Sequence, residues 1–408
     1  MGELAALNET TVKDYLVQRG LAELLGGGPG DWEAEPITDG NVNLLFRVKN
    51  PGAGRSLIVK QALGYAWRYP DFKMPKDRLA IEHEVLRVAG EFAPEQVPEV
   101  YFFSPEDAVL VMEDLNRHRE MRAALREGMR FPRAAEHMGR YMARTLFYTS
   151  DLYLPSGEKK ERAARLVNPV LRKVQEDLVF TQPFARHPNN RYSKPLAPLV
   201  REIYADDALR AEVLELKERY MTQAQALIHN DLHTGSILAN AEETKVVDPE
   251  FAFFGPMGHD LGTYLGNLAL AYAAYEAHAP GEEEKQAFRD WLLQSMAETW
   301  RVFEREFLAA WERDAQKDEW PSDRYRERYM RRLLKDAAGF GAAEMFRRLI
   351  GMAHVSDFWS IEDELERARA ESIGLEIARR WLMEREGFET IDDLTERVRA
   401  ARVSPLVG

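Results

Sequence analysis

The chain contains no cysteine, which excludes disulfides, thiolate metal sites and cysteine nucleophiles at the outset. That absence does not fix a compartment. Positive charge is in short supply, with 55 Lys and Arg against 68 Asp and Glu for a formal net charge of −13. A nucleic-acid partner usually shows as a basic patch, so none is expected. Any anionic nucleotide must then be held by a few local cations and a metal. Long hydrophobic runs are also missing. The longest, Leu261 to Tyr275, is interrupted by Gly and Asn and is too short to span a bilayer, so no membrane partner is expected. The first 25 residues carry Glu3, Glu9 and Asp14 in place of the basic start and apolar run of a signal peptide. A cytoplasmic enzyme is the expectation. No internal repeat or low-complexity segment is present.

What the chain does have is bulk and a balanced composition. Its 408 residues, 45% hydrophobic and 30% charged, are those of a soluble globular protein able to bury a sizeable core in two or three domains.

The densest concentration of chemistry lies between Leu227 and Gly266. It reads LIHNDLHTGSILANAEETKVVDPEFAFFGPMGHDLGTYLG, with His229, Asp231, His233, Ser236, Asp248 and Glu250 among short apolar runs. Ile237 and Leu238, then Val246 and Val247, are two strands, and Asn240 to Lys245 is the turn between them, a small hairpin. Asp231 falls on the loop before the first strand, and Asp248 and Glu250 fall on the loop after the second. The ends of such a hairpin meet, which is expected to gather three carboxylates. They repel one another unless a cation or proton is shared, and Mg²⁺ carrying a phosphate resolves that repulsion with oxygen ligands. Phosphoryl transfer to a hydroxyl also needs an acceptor for the hydroxyl proton. Asp231 is the candidate base, and Asp248 and Glu250 the candidate metal ligands. The bland alternative is a solvated acidic turn.

The rest of the chain supplies the setting. Thr11 and Asp14 are expected to cap a first helix that presents Val12, Tyr15 and Leu16 and ends at Gly20. Leu44, Phe46 and Val48 alternate, and SLIVKQA follows a turn at Asn50 to Gly54, so two strands are expected. Ahead of them, Asp39, Gly40, Asn41, Val42 and Asn43 form a short polar segment whose backbone amides can close over phosphates. By itself that segment is an ordinary turn. A helix over Asp77 to Ala89 has Ile81, Val85, Leu86 and Ala89 on its apolar face, with Glu82 on or beside it. A carboxylate turned inward needs a cation, and Lys60, at the end of Leu57 to Val59, is the natural partner, with Glu84 as the rival acid. Strands at Val100 to Phe103 and Ala108 to Met112 follow. From Pro132 onward the periods are helical, including Glu283 to Phe307, Tyr325 to Ile350 and Glu362 to Arg379. Trp291, Trp300 and Trp311 read as core or pocket walls. The tail to Gly408 carries no legible signal.

HNDLHTGSI followed by DPE resembles the catalytic and metal-binding segments of the aminoglycoside phosphotransferase-like kinases, whose pattern is H-G-D-x-x-x-x-N and then a metal-binding Asp. The wording DLHTGSI and DPEFAFFGPMGHDLGTYLGNL is closer to the 5-methylthioribose kinases, with their Asp-x-Glu metal motif. TSDLYL, NPVLRKVQEDLVFTQPF and VMEDL point the same way. Asn230 stands where Gly is usual, Ser236 where the wider group has Asn, and His259 where an aromatic residue is common. The resemblance spans nearly the whole chain. It implies an α+β, bilobal protein kinase-like fold, with an N-terminal nucleotide-binding lobe at 1–112 of antiparallel sheet plus one helix. A mainly helical lobe would occupy 113–408. It further implies ATP in a cleft under Asp39 to Phe46, held by Gly40, Asn41, Asn43 and Lys60, with Glu82 pairing Lys60. Glu113, Asp114 and Leu115 would form the hinge facing adenine. GFGAAEMFRRLIGMAHVSDF places the adjacent Arg347 and Arg348 at the sugar and phosphate site, although two such arginines on a helix usually face water. The implied reaction is ATP- and Mg²⁺-dependent phosphorylation of the 1-hydroxyl of 5-methylthioribose in methionine salvage, by a homodimer. A kinase of the same fold acting on 5-deoxyribose or another small alcohol is the first alternative, and a regulatory pseudokinase the second. An arginine pair repels cationic aminoglycosides and choline, which favours a neutral sugar.

Overall fold

The computed structural model of the chain describes residues 5–38, 42–316 and 322–407. The chain forms two compact units, Met1–Arg117 with Val247–Phe251, and His118–Val246 with Ala252–Gly408.

The first unit opens with α1 (Thr11–Gln18), which buries Val12, Tyr15 and Leu16 as its spacing predicts. Its cap is one turn earlier than expected. Asn8 Oδ1 accepts from the amides of Thr10 and Thr11 at 3.0 and 2.9 Å, and Thr11 Oγ1 accepts from the Asn8 amide at 2.8 Å. A five-stranded antiparallel sheet follows, built from β1 (Glu33–Ile37), β2 (Leu44–Asn50), β3 (Arg55–Gln61), β4 (Val100–Ser104) and β5 (Val109–Glu113), in the order β1-β2-β3-β5-β4. The alternation of β2 buries Leu44, Phe46 and Val48, and these pack with Leu16, Trp32, Leu57, Val59, Val109 and Val111 in one core. β1 has no such alternation and contains Pro36, composition that only an edge strand tolerates. Between β3 and β4 comes α2 (Arg78–Phe92), whose buried side includes Leu79, Glu82, Val85, Leu86 and Ala89. It packs most closely against the short turn Pro249–Phe251.

The second unit is mainly helical, with α3 (Ala134–Tyr148), α4 (Pro169–Phe180) and α5 (Asp207–Thr222) before four short strands. These are β6 (Ala226–Ile228), β7 (Ile237–Ala239), β8 (Thr244–Val246) and β9 (Phe253–Gly255). β7 and β8 make the expected hairpin, pairing Ile237 with Val246 and Ala239 with Thr244. β6 pairs with β9, Ile228 opposite Phe253. The longer helices that follow among the described residues are α6 (Met257–His278), α7 (Glu282–Asp314), α8 (Asp323–Leu349), α9 (Glu364–Glu384) and α10 (Ile391–Ala400). α6 is buried on every side from Met257 to Tyr275 and lies against α8 and α9, while α7 covers α3. Trp300 and Trp311 are core residues of α7. α10 lies in the tail that carries no sequence pattern, and Trp381 Nε1 on α9 donates to its Leu394 carbonyl at 3.1 Å. Among the described residues, no helix is long and apolar enough to cross a membrane. The whole is a bilobal α+β fold of the protein kinase type, one unit carrying the antiparallel sheet and a helix and the other mainly helical.

Candidate active site

In the first unit the site grows from Lys60. β3 places it between Leu45 of β2 and Leu110 of β5, 1% exposed, where an ammonium is stable only if paired. Its Nζ lies 2.7 Å from Glu82 Oε2, a residue with no exposed surface, and also bonds Asp248 Oδ1. Glu82 is therefore the acid that turns inward, while Glu84 pairs with Arg87 at 3.0 Å on the outer face. Burial works against the Lys60 charge, but the carboxylates of Asp248, Glu82 and Glu250 outweigh it and raise its pKa. Glu82 is pushed up to about 8 by burial, against the pull of Lys60.

Arg78, which the sequence reading missed, completes this cluster. Fully buried in the first turn of α2, it lies one turn before Glu82. Its Nε is 3.3 Å from Glu250 Oε2, Nη2 donates to Asn43 Oδ1 at 2.9 Å, and Nη1 donates to the Leu63 and Pro75 carbonyls at 2.8 and 2.6 Å. Asn43 Nδ2 in turn donates to Glu250 Oε2 at 2.8 Å. Asn43 thus contributes a buried side chain to the acidic pair. An arginine four residues ahead of an inward glutamate is the signal that could have revealed Arg78.

Asp248 adopts φ +62°, a left-handed conformation that Asp tolerates better than most residues. Its side chain is 47% exposed, whereas that of Glu250 is 7% exposed. Two carboxylates two residues apart, one open to solution and both already beside cations, form an oxygen donor set that suits Mg²⁺. Among the described residues no group of three or more His, Asp or Glu converges as a metal site. Phosphate and water oxygens would have to complete the shell, as is usual for this ion.

Gly40 and Asn41 lie outside the described residues. Glu113 ends β5, where its amide donates to the Glu99 carbonyl at 2.8 Å. The Asp114 carboxylate accepts from Arg47 Nε at 2.9 and 3.1 Å, and Leu115 is buried beside it in sequence.

In the second unit β6 delivers His229, Asn230 and Asp231. The amides of His229 and Asn230 donate to the two oxygens of buried Asp260, at 2.7 and 2.9 Å, so the first turn of α6 holds the loop by its backbone. Asn230 has φ +69°, which accounts for Gly in the wider pattern and shows why Asn substitutes: it is among the L-residues that enter this region most readily. Its Oδ1 accepts from Tyr220 Oη at 3.0 Å. Gln175 on α4 donates through Nε2 to the Asn230 carbonyl at 3.0 Å. His259 packs among Phe180, Tyr220 and Phe340, with ring centroids 5.3 to 6.4 Å away, and so fills an aromatic's place.

Asp231 is ringed by donors. Arg347 Nη1 lies 3.2 Å from its Oδ1 and Arg348 Nη2 lies 3.5 Å from the same atom, while His233 Nε2 is 3.3 Å from Oδ2. Both arginines are buried, contrary to the usual fate of such a pair, and Glu344 one turn earlier contacts both. Burial alone would raise the Asp231 pKa, but His233, Arg347 and Arg348 together hold it well below the usual carboxylate range. Burial takes His233 down to about 4, so its imidazole is neutral. Ser236 Oγ donates to the Asp231 carbonyl at 3.2 Å and stands 3.4 Å from His233 Nδ1. Asp260, Gln175 and Glu344 were not singled out from sequence, since each acts on a loop remote along the chain or through a neighbour on its own helix.

A kinase-like fold with an inward Lys–Glu pair, an Asp-x-Glu segment and a loop aspartate defines a phosphotransferase. A profile of the phosphotransferase enzyme family matches residues 33–299. Methylthioribose kinase from Geobacillus kaustophilus (strain HTA426) is 40% identical over 358 residues, which is 88% of this chain and 88% of that protein. The protein of the same name from Escherichia coli O45:K1 (strain S88 / ExPEC) is 36% identical, over 91% of each chain. Methylthioribose kinase 1 from Oryza sativa subsp. japonica is 36% identical over 97% of this chain and 95% of its own. The chain belongs to the methylthioribose kinase family, a group of ATP-dependent phosphotransferases.

Proposed function

We propose that the protein transfers the γ-phosphoryl group of ATP to the 1-hydroxyl of 5-methylthioribose, giving 5-methylthioribose 1-phosphate for methionine salvage. The observation that carries this reading is the buried Arg347–Arg348 pair on the Asp231 carboxylate. It sets two fixed cations beside the candidate base, which suits a neutral sugar that becomes a phosphate and disfavours a cationic alcohol.

Lys60, steadied by Glu82, is assigned to the nucleotide phosphates. Asp248 and Glu250 are the residues that would hold Mg²⁺, which neutralises charge on the transferring group when bound. Arg78 and Asn43 keep Glu250 oriented. Asp231 orients the sugar hydroxyl and accepts its proton as the oxygen bonds to phosphorus, and the arginines offset the charge of the transferred group. Glu113 to Leu115 and the segment at Gly40 and Asn41 remain the proposed adenine and phosphate contacts.

A coupled assay of ATP consumption over a panel of free sugars and amino alcohols tests the reading. The highest kcat/KM should fall on 5-methylthioribose, with 5-deoxyribose lower by the roughly 1–3 kcal/mol that one apolar group discriminates. Preference for an amino alcohol would overturn it. The same resemblance proposes a homodimer, and sedimentation equilibrium at the monomer mass would refute that part.

A further inference from the structure

Asp231 has two carboxylate oxygens, and the second unit treats them differently. Oδ1 receives Arg347 Nη1 at 3.2 Å, Arg348 Nη2 at 3.5 Å and Gln175 Nε2 at 3.4 Å. Oδ2 has His233 Nε2 at 3.3 Å. One carboxylate oxygen offers about two lone-pair sites, so Oδ1 is fully engaged and Oδ2 keeps room for a substrate hydroxyl. What makes Oδ1 the anchor is the placing of the two guanidiniums, and Glu344 sets that. Its side chain is 1% exposed. Oε2 accepts from Arg347 Nη1 at 3.1 Å and Oε1 from Arg348 Nε at 2.5 Å. Each oxygen of Glu344 thus takes one arginine, at the i,i+3 and i,i+4 positions of α8. Arg347 Nη1 bridges Glu344 and Asp231 directly. Two buried guanidiniums facing Asp231 alone would carry an uncompensated charge, and each long side chain would be free to choose another rotamer.

We infer that Glu344 is a positioning residue for phosphoryl transfer, fastening Arg347 and Arg348 on Asp231 Oδ1 so that Oδ2 faces the acceptor alcohol. The inference rests on the proposed kinase function and deepens it. In the step it serves, the hydroxyl proton passes to Asp231 Oδ2 and the alcohol oxygen bonds to the γ-phosphorus. The bond from that phosphorus to the bridging oxygen breaks, and ADP leaves. Glu344 touches none of these atoms.

The test is a double-mutant cycle on the full chain. Glu344→Gln should lower kcat by about tenfold or more, with KM for ATP within about twofold. In an Arg347→Lys/Arg348→Lys background, which lacks the planar forks, the same change should cost less than about threefold. An equal loss in both backgrounds would show that Glu344 acts by another route and would overturn the inference. So would a loss below about threefold in the parent, or a matching rise in KM for ATP. Should Glu344→Gln not fold, Glu344→Asp enters the cycle under the same criteria. The kinetics are read on whichever alcohol the parent turns over. Turnover on an alcohol other than 5-methylthioribose refutes only the substrate assignment, and no turnover on any alcohol refutes both.

Discussion

At the scale of single residues the two acidic groups have separable jobs. Replacing Asp231 with Asn keeps its size and its place beside Arg347 but removes the proton acceptor. Turnover should fall on the order of 10² or more while nucleotide affinity stays nearly unchanged, as steady-state kinetics and nucleotide titration would report. Asp248→Ala should instead abolish Mg²⁺-dependent nucleotide binding measured by calorimetry, because half of the protein's carboxylate donor set is lost. Asn230 makes a third case. Its φ of +69° costs any residue with a Cβ, and Asn offsets part of that by accepting from Tyr220. Asn230→Gly should therefore stay within about 1 kcal/mol of the parent in urea unfolding, and Asn230→Ala should lose about 1–2 kcal/mol. These residues were legible in the sequence because so many His, Asp and Gly packed between short strands are unusual for a plain turn. Gln175, Asp260 and Glu344 were not, since nothing in a linear pattern says that a glutamine on one helix reaches the carbonyl of a loop 55 residues later.

At the scale of elements, periodicity was enough wherever one face is buried and one is wet. The helix at α2, the alternation in β2 and the β7–β8 hairpin follow from spacing alone. β1 escaped because an edge strand needs no apolar face, and α10 because it is short and its tail shows no long pattern. The glycines of α6 looked like interruptions of an apolar run, yet they are where α8 comes closest. A Cβ on Gly262 would run into the Ala337 carbonyl and the Gly341 amide, and one on Gly266 would lie 2.9 Å from the Gly341 carbonyl. Gly262→Ala should thus be destabilising by about 1–3 kcal/mol through overpacking, despite the gain in helix propensity. Gly157, in the helix Ser156–Arg165, is the control, because a Cβ there meets nothing within 4 Å. Gly157→Ala should raise the thermal midpoint, in line with a gain of about 0.4–1 kcal/mol.

At the scale of the whole molecule, stability against pH has opposing contributions that composition cannot reveal. Asp231 and Glu344 are both held below their ordinary values against burial, Asp231 by His233 and then the two arginines, and Glu344 by the arginines. Their contribution is present above the unfolded carboxylate pKa of about 4 and is lost as the pH falls through the lower folded values. Glu371, inside α9, works the other way. Burial lifts it from 4.5 to about 7, only partly offset by Ser193 and Arg367. A folded pKa above the unfolded one means that the native state holds the proton more tightly. Its contribution is therefore complete below pH 4.5 and disappears as the pH rises through about 7. Above that pH a buried carboxylate must ionise, at a cost on the order of 3 kcal/mol for a shift of this size. Glu371→Gln keeps the shape and removes the titration. Thermal unfolding without nucleotide or Mg²⁺ should give nearly equal midpoints for variant and parent at pH 5, and a higher midpoint for the variant at pH 8.5. A constant difference across that range would mean that Glu371 does not titrate between these limits, and the loss of stability on the alkaline side would have to come from another buried group.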